Sequence, residues 1–263
     1  FWGDSLTAGT GGGGTVTYPK VCADALGLKY LNCGVGGETA NTIACRQGGN
    51  NVVIPAGDIN GNYTSLTDIF GASIAPLLQG NGSGTGNYLY INGQKCSLSY
   101  SGGVYTISGY TGSASPVPLL GKFIGSEFYG QIVVIFVGQN GANVSGQSDV
   151  DPYITIIKSM IRHIPHKRYV ILGLSSGTSS QRDYVDARYL KEFGNSFFPT
   201  RKMLVSYGLA LENITPTSQD EADIAVGTVP ASLRSDEIHL NASGYDALGK
   251  MLADKIRALG FVK

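Results

Sequence analysis

A serine in a tight turn stands at one end of this chain and an acid–imidazole pair at the other. Gly3-Asp4-Ser5-Leu6 opens the sequence, and Asp236-Glu237-Ile238-His239 lies near its close. For these side chains to act together the fold must bring both ends of the chain to one place. The chemistry asks for that meeting: a serine hydroxyl attacks a carbonyl carbon poorly until an imidazole takes its proton, and the imidazole needs a carboxylate to fix its tautomer. Phe1-Trp2 reads as the end of an apolar strand, Thr7 to Thr15 is glycine-rich, and a helix follows. Ser5 is therefore expected where open α/β sheets put ligands, at the carboxyl edge of a strand.

Two further blocks also end candidate strands. Asn32-Cys33-Gly34-Val35-Gly36-Gly37-Glu38-Thr39 follows the short apolar stretch Leu28 to Leu31, and Gly138-Gln139-Asn140 follows the apolar run Ile132 to Val137. Around them apolar strands alternate with amphipathic helices, the pattern of a doubly wound sheet. Pro19 suits the first turn of a helix with Val21, Cys22, Ala25 and Leu26 facing inward and Gly27 closing it. A second short helix is expected near Glu38. Gln131 to Val137 reads as a buried central strand, Pro152 to Arg162 as a helix with Ile154, Ile157 and Ile161 on one side, and Tyr169 to Leu174 as the next strand. Asp183 to Gly208 holds further helix. In the last helix Ser243 can cap a face of Tyr245, Leu248, Leu252, Ile256 and Leu259.

Between residues 51 and 126 the character changes to few charges, abundant Gly, Ser, Asn and Thr, and tyrosines at 63, 88, 90, 100, 105 and 110. This segment reads as β-rich. Tyr88 to Ile91 followed by Asn92-Gly93 predicts a hairpin, because Asn-Gly readily takes the positive φ angles of a type I′ turn, and Val104 to Tyr110 continues as another strand. An insertion leaving from the loop after the second block would sit over the carboxyl edge of the sheet and shape a cleft there. Its tyrosines could stack on sugar rings or simply pack a small sheet.

Taken together, the four blocks resemble those of the SGNH, or GDSL-type, esterase and lipase family. The resemblance implies a three-layer α/β/α, flavodoxin-like parallel sheet, with a catalytic domain made of residues 1–50 and 127–263 and a β-rich insertion, 51–126, as a substrate-recognition element. It implies Ser5 as nucleophile, His239 as base and Asp236 as its orienting acid. Gly37 and Asn140, with the backbone of Ser5, would form the oxyanion hole. Gly141 departs from the pattern, which commonly has Asp after the Asn of the third block. The implied reaction is hydrolysis of a carboxylic ester through an acyl-enzyme, with no cofactor and no metal. The polar insertion, and the lack of a long apolar lid or a basic amphipathic helix, favour O-deacetylation of a polysaccharide. A lipase, lysophospholipase or thioesterase is the alternative within the family, and a non-catalytic carbohydrate-binding module the alternative outside it. The glycine-rich entry and the Gly-Val-Gly-Gly-Glu-Thr stretch also resemble SGNH modules of phage tail fibres and tailspikes, which implies an extracellular or virion-associated protein working on an acetylated glycan.

Composition narrows the partners. Nineteen basic and nineteen acidic residues in 263 leave a formal charge of zero with no long run of either sign, which argues against nucleic acid. No apolar run reaches the ~20 residues of a transmembrane helix, and no symmetric apolar patch that would set an oligomeric state is readable. The chain starts at Phe1 inside an expected strand, so an upstream segment is expected to have been removed or left out. Cys22, Cys33, Cys45 and Cys96 permit three full pairings or none. His163 and His166 suit the end of a helix, and Arg46 and Gln47 likewise read as a helix end. Asp4 reads as a turn former beside Ser5.

Overall fold

The computed structural model describes residues 1–69, 71, 88–101, 103–122, 132–141 and 147–262. The chain opens with β1 (Trp2–Gly3) and β2 (Cys33–Gly34) and passes through β3 (Val52–Ile54), β4 (Gly61–Tyr63), β5 (Thr67–Asp68), β6 (Tyr88–Ile91), β7 (Gln94–Ser101), β8 (Val104–Ser108) and β9 (Leu119–Lys122). It ends with β10 (Val133–Phe136), β11 (Tyr169–Leu172) and β12 (Phe197–Phe198). Five strands form a parallel sheet in the order β12-β11-β10-β1-β2. Numbered within that sheet alone the order is 2-1-3-4-5, so the direction of winding reverses between β1 and β10, and ligands of such sheets bind at that switch point.

The helices are α1 (Ser5–Ala8), α2 (Tyr18–Leu26), α3 (Ala40–Gln47), α4 (Gln147–His163), α5 (Ser179–Phe193), α6 (Thr200–Met203), α7 (Leu209–Leu211), α8 (Ser218–Ala225) and α9 (Ala242–Ala258). All four residues of β10 are buried, as a run of Val-Val-Ile-Phe with no polar face requires. Its side chains alternate between two apolar clusters. Val133 and Ile135 join Ile43 of α3, Ile157 of α4 and Val185 of α5, whereas Val134 and Phe136 join Cys22 of α2 and Leu248 and Leu252 of α9. Helices thus pack on both faces of the parallel sheet. No helix among the described residues is long and apolar enough to cross a membrane.

Several local expectations shift. The strand anticipated at Leu28 to Leu31 is absent: Leu28, Tyr30 and Leu31 are exposed and β2 begins at Cys33. The Phe1 nitrogen donates to the Leu31 carbonyl at 2.9 Å, and the ladder between β1 and β2 pairs Trp2 with Cys33 and Gly3 with Gly34. In α2 the buried residues are Tyr18, Pro19, Cys22 and Ala23, while Ala25 is exposed; pairs four apart, not Ala25, set the inner face. The last helix is capped by Asn241, whose side chain accepts from Gly244 N at 3.0 Å, and Ser243 lies one position inside. Helix α4 starts at Gln147, upstream of Pro152. All four cysteines are buried free thiols, and burial pushes the Cys22 thiol up to about 12.

The middle segment forms an antiparallel sheet ordered β4-β8-β7-β6-β9-β3-β5. Its β6–β7 hairpin turns through Asn92 and Gly93 with φ of 47° and 79°, both positive as a type I′ turn requires. Leu89, Ile91, Cys96, Leu98 and Ile107 are buried on one face and belong to the same apolar cluster as α3 and α4. The expected position over the carboxyl edge is corrected, however. The segment leaves from the far end of α3, where the Gln47 amide donates to the Met160 carbonyl near the end of α4 at 3.2 Å, and it returns into the first residue of β10. A helix between parallel strands carries the chain back to the amino edge, so both connections lie opposite Ser5. The described tyrosines mostly pack: Tyr105 and Tyr110 are buried, and the Tyr63 hydroxyl donates to the Asp58 and Ile59 carbonyls. Residue 127, the expected boundary, lies outside the described residues.

Candidate active site

Strand β1 ends at Gly3, and two glycines let α1 sit close against the sheet. A Cβ on Gly3 would lie 2.0 Å from Thr7 Oγ1 and 2.7 Å from the Phe136 carbonyl, and one on Gly34 would lie 2.2 Å from Ala8 N. Asp4 caps α1, its Oδ1 accepting from Leu6 N at 3.0 Å. Ser5 is the first residue of that helix and stands at the carboxyl edge between the strands where the winding reverses.

His239 reaches Ser5 from a closed turn. Arg234 and Leu240 pair as an antiparallel bridge, and Ser235 N donates to the His239 carbonyl at 3.0 Å. Inside the turn Asp236 Oδ1 accepts from Ile238 N at 2.8 Å and His239 N at 2.7 Å. Its Oδ2 lies 2.8 Å from His239 Nδ1, and His239 Nε2 lies 2.9 Å from Ser5 Oγ. The donated His239 N–H, with the imidazole contact and the Ile238 N–H, holds the Asp236 carboxyl down to about 2. An ionised Asp236 keeps the proton on Nδ1, which leaves Nε2 free to accept from the serine hydroxyl.

The turn is held from two sides that sequence reading missed. A Cβ on Gly11 would lie 2.2 Å from Ser235 Oγ, and the Tyr245 hydroxyl donates to the Thr10 carbonyl at 2.7 Å, so the glycine-rich entry loop packs directly against the histidine turn. From α8, Asp220 accepts from Ser232 N at 2.8 Å and Asp223 pairs with Arg234 at 2.6 Å. Glycine richness was visible in the sequence; Asp220 also completes a Thr217-x-x-Asp capping box at the start of α8, but no motif ties it or Asp223 to the histidine turn.

The second block runs past Ser5. A Cβ on Gly36 would come within 3.9 Å of Ser5 Cβ, and Gly37 adopts a φ of 79°, a left-handed turn that glycine enters without penalty. Asn140 pairs with Thr39 as a parallel bridge, and its Nδ2 donates to the Glu38 carbonyl at 3.0 Å. The amide nitrogen keeps a second hydrogen for another acceptor. Beside it Gln139 and Ser176 exchange hydrogen bonds at 2.8 and 3.0 Å, Arg182 Nε donates to the Ser176 carbonyl at 3.0 Å, and the Tyr153 hydroxyl donates to the Gly141 carbonyl at 3.2 Å. Arg46 and Gln47 do close the last turn of α3 as expected, and both are buried there, Arg46 against Glu38.

No protein-family model and no curated protein matches the chain. Among solved structures it aligns with one described as a peptidoglycan O-acetylesterase in action, at 15% identity and a TM-score of 0.39, over 98% of this chain and 89% of that one. The chemistry of the site rests on its own geometry.

Asp4 carries a measurable consequence. It is 1% exposed, its Oδ2 has no hydrogen-bond partner among the described residues, and burial raises its carboxyl from 3.8 to about 7 against the opposing pull of the Leu6 N–H and His239. Between those two values the folded chain holds a proton that the unfolded chain has released, so this contribution to stability is complete below about 4 and is lost as pH rises through 7. Asp4→Asn keeps the capping acceptor and has no such proton. The stability of the variant relative to the parent is expected to increase by about 2 kcal/mol between pH 5 and pH 8, measured by denaturant unfolding at both. A difference independent of pH would remove the buried carboxyl from this account.

Proposed function

We propose that the chain is a serine esterase of the SGNH type, acting on carboxylic esters through an acyl-enzyme. The observation that carries this reading is the continuous line of hydrogen bonds from Asp236 Oδ2 through His239 to Ser5 Oγ. Ser5 Oγ attacks the ester carbonyl as Nε2 takes its proton. The tetrahedral oxyanion is met by the N–H groups of Gly37 and Ser5 and by the free hydrogen of Asn140 Nδ2. Nε2 returns the proton to the departing alcohol, and water repeats the sequence to free the acid. Such donors are worth roughly 2.7–4 kcal/mol each because they point at the oxyanion before it forms.

The substrate class we favour is an O-acetylated glycan, met outside the cell or on a virion. The hydrogen-bonding rim of Gln139, Ser176, Asn140 and Arg182 supports this, since it offers a sugar alcohol polar partners. The β-rich segment 51–126 is taken as an insertion between the two parts of the esterase domain, 1–50 and 127–263, and as an element that contributes to recognition of the substrate.

The test compares acyl chains. An activated acetate ester should be cleaved with a kcat/KM at least tenfold above that of the octanoyl ester, as expected of an acyl site that fits acetyl and that a longer chain does not enter. Acetate release should then follow from some member of a panel of acetylated polysaccharides. Preference for the octanoyl ester would turn the assignment to a lipase or thioesterase, and binding of a glycan without turnover would turn it to a carbohydrate-binding module.

A further inference from the structure

Directly behind the candidate oxyanion donors lies a buried ion pair that the reaction scheme does not use. Glu38 and Arg46 are 4% and 1% exposed. Arg46 Nε donates to both Glu38 carboxylate oxygens at 2.9 Å, and its Nη2 donates to Oε2 at 2.7 Å and to the Cys33 carbonyl at 2.6 Å. The guanidinium lies over the Trp2 ring, 5.4 Å from its centroid. One side chain from the last turn of α3 is thereby tied to β1, to β2 and to Glu38, two residues ahead of α3. Burial pushes the Glu38 carboxyl up and Arg46 pulls it back down.

Glu38 is also the residue whose carbonyl oxygen receives Asn140 Nδ2, and its amide follows Gly37. Resting on the esterase reading above, we infer that Glu38 and Arg46 are positioning residues for the oxyanion hole. The side chain of Glu38 is clamped by Arg46, and its carbonyl aims Asn140 Nδ2. Because a buried charge without its partner is costly, the two groups must stay together, and the Gly36–Thr39 segment is left with a single resting place. Ordinary structural service elsewhere in the core would not require the carbonyl of the same residue to hold the catalytic-block asparagine.

Single substitutions could unfold the chain by stranding one charge, so the informative variant is Glu38→Gln combined with Arg46→Met, which removes both charges and conserves volume. Replacement of a whole buried pair is often tolerated in stability. Two measurements are made on it. The first is hydrolysis of the activated acetate ester: kcat is expected to fall ten- to a hundredfold with KM within twofold, and the loss is expected to be largely absent when the same pair is replaced in an Asn140→Ala background, as groups acting through one another are non-additive. The second needs no turnover. The side-chain amide of Asn140, identified by its disappearance from the ¹⁵N spectrum of Asn140→Ala, should be slowed in hydrogen exchange in the parent and exchange at least tenfold faster in the double variant.

A folded double variant with unchanged exchange at Asn140 would overturn the inference, as would a kcat loss that simply adds to that of Asn140→Ala. If the parent cleaves no ester while the amide loosens as expected, the esterase reading fails and the positioning of Asn140 by the pair stands.

Discussion

Ser5→Ala is expected to lower kcat on an activated acetate ester by about 10⁴–10⁶-fold, with KM changed little. The methyl group leaves nothing for His239 Nε2 to deprotonate at 2.9 Å, while the oxyanion donors and the rim remain to bind substrate. His239→Ala should cost a similar factor, because without a proton acceptor the hydroxyl is a poor nucleophile. The two losses should not multiply. Once either partner is gone the other has no task, so Ser5→Ala/His239→Ala is expected to be no slower than the worse single variant within about threefold. Thermal unfolding of each variant guards against loss of fold, and Ser5 is half-buried at the first turn of α1, where alanine is accepted without a cavity. Turnover in Ser5→Ala within tenfold of the parent would remove Ser5 as nucleophile. Losses that multiply would mean that the serine and the imidazole act in separate steps.

What could be read from residues alone was whatever a short local pattern specifies. Gln131 to Val137 read as a buried strand, found at Val133–Phe136, and Asn92-Gly93 read as a tight hairpin turn, since each reading follows from a few neighbouring side chains. The meeting of Ser5 with His239 also followed, because two separate patterns make sense only if joined. Properties set by direction and by distant partners were less visible. The β-rich nature of segment 51–126 was legible, yet its connection at the amino edge depends on which end of α3 it leaves from, and composition carries no such information. Arg46 read as a helix-end charge, which it is, but its burial and its partner were not legible because Glu38 is neither three nor four residues away but eight positions back, ahead of the helix. Leu28, Tyr30 and Leu31 looked like a strand because their apolar character is local, whereas they lie exposed and β2 begins only at Cys33.

Asp236→Asn should be the second-largest loss, about 10³–10⁴-fold in kcat, and it isolates the tautomer from the shape of the turn. The asparagine oxygen can still accept from Ile238 N and His239 N, the two bonds that close the turn at 2.8 and 2.7 Å. What changes is the atom facing His239 Nδ1, which becomes an N–H donor in place of a carboxylate oxygen. The imidazole must then accept at Nδ1 and carry its proton on Nε2, pointed at Ser5 Oγ, and a nitrogen that already holds a proton cannot take another from the serine. Raising the pH should not restore the rate, since the fault is the position of a proton and not its presence. Asp236→Ala removes the backbone acceptor as well, so it should match the asparagine variant in rate and also unfold at a lower temperature. In the parent the carboxylate remains ionised down to about 2, so any loss of activity on acidification from pH 8 to pH 5 arises from another group. If Asp236→Asn kept more than a tenth of the parent rate, the carboxylate would be closing the turn without orienting the base, and the tautomer of His239 would have to be held by some other contact.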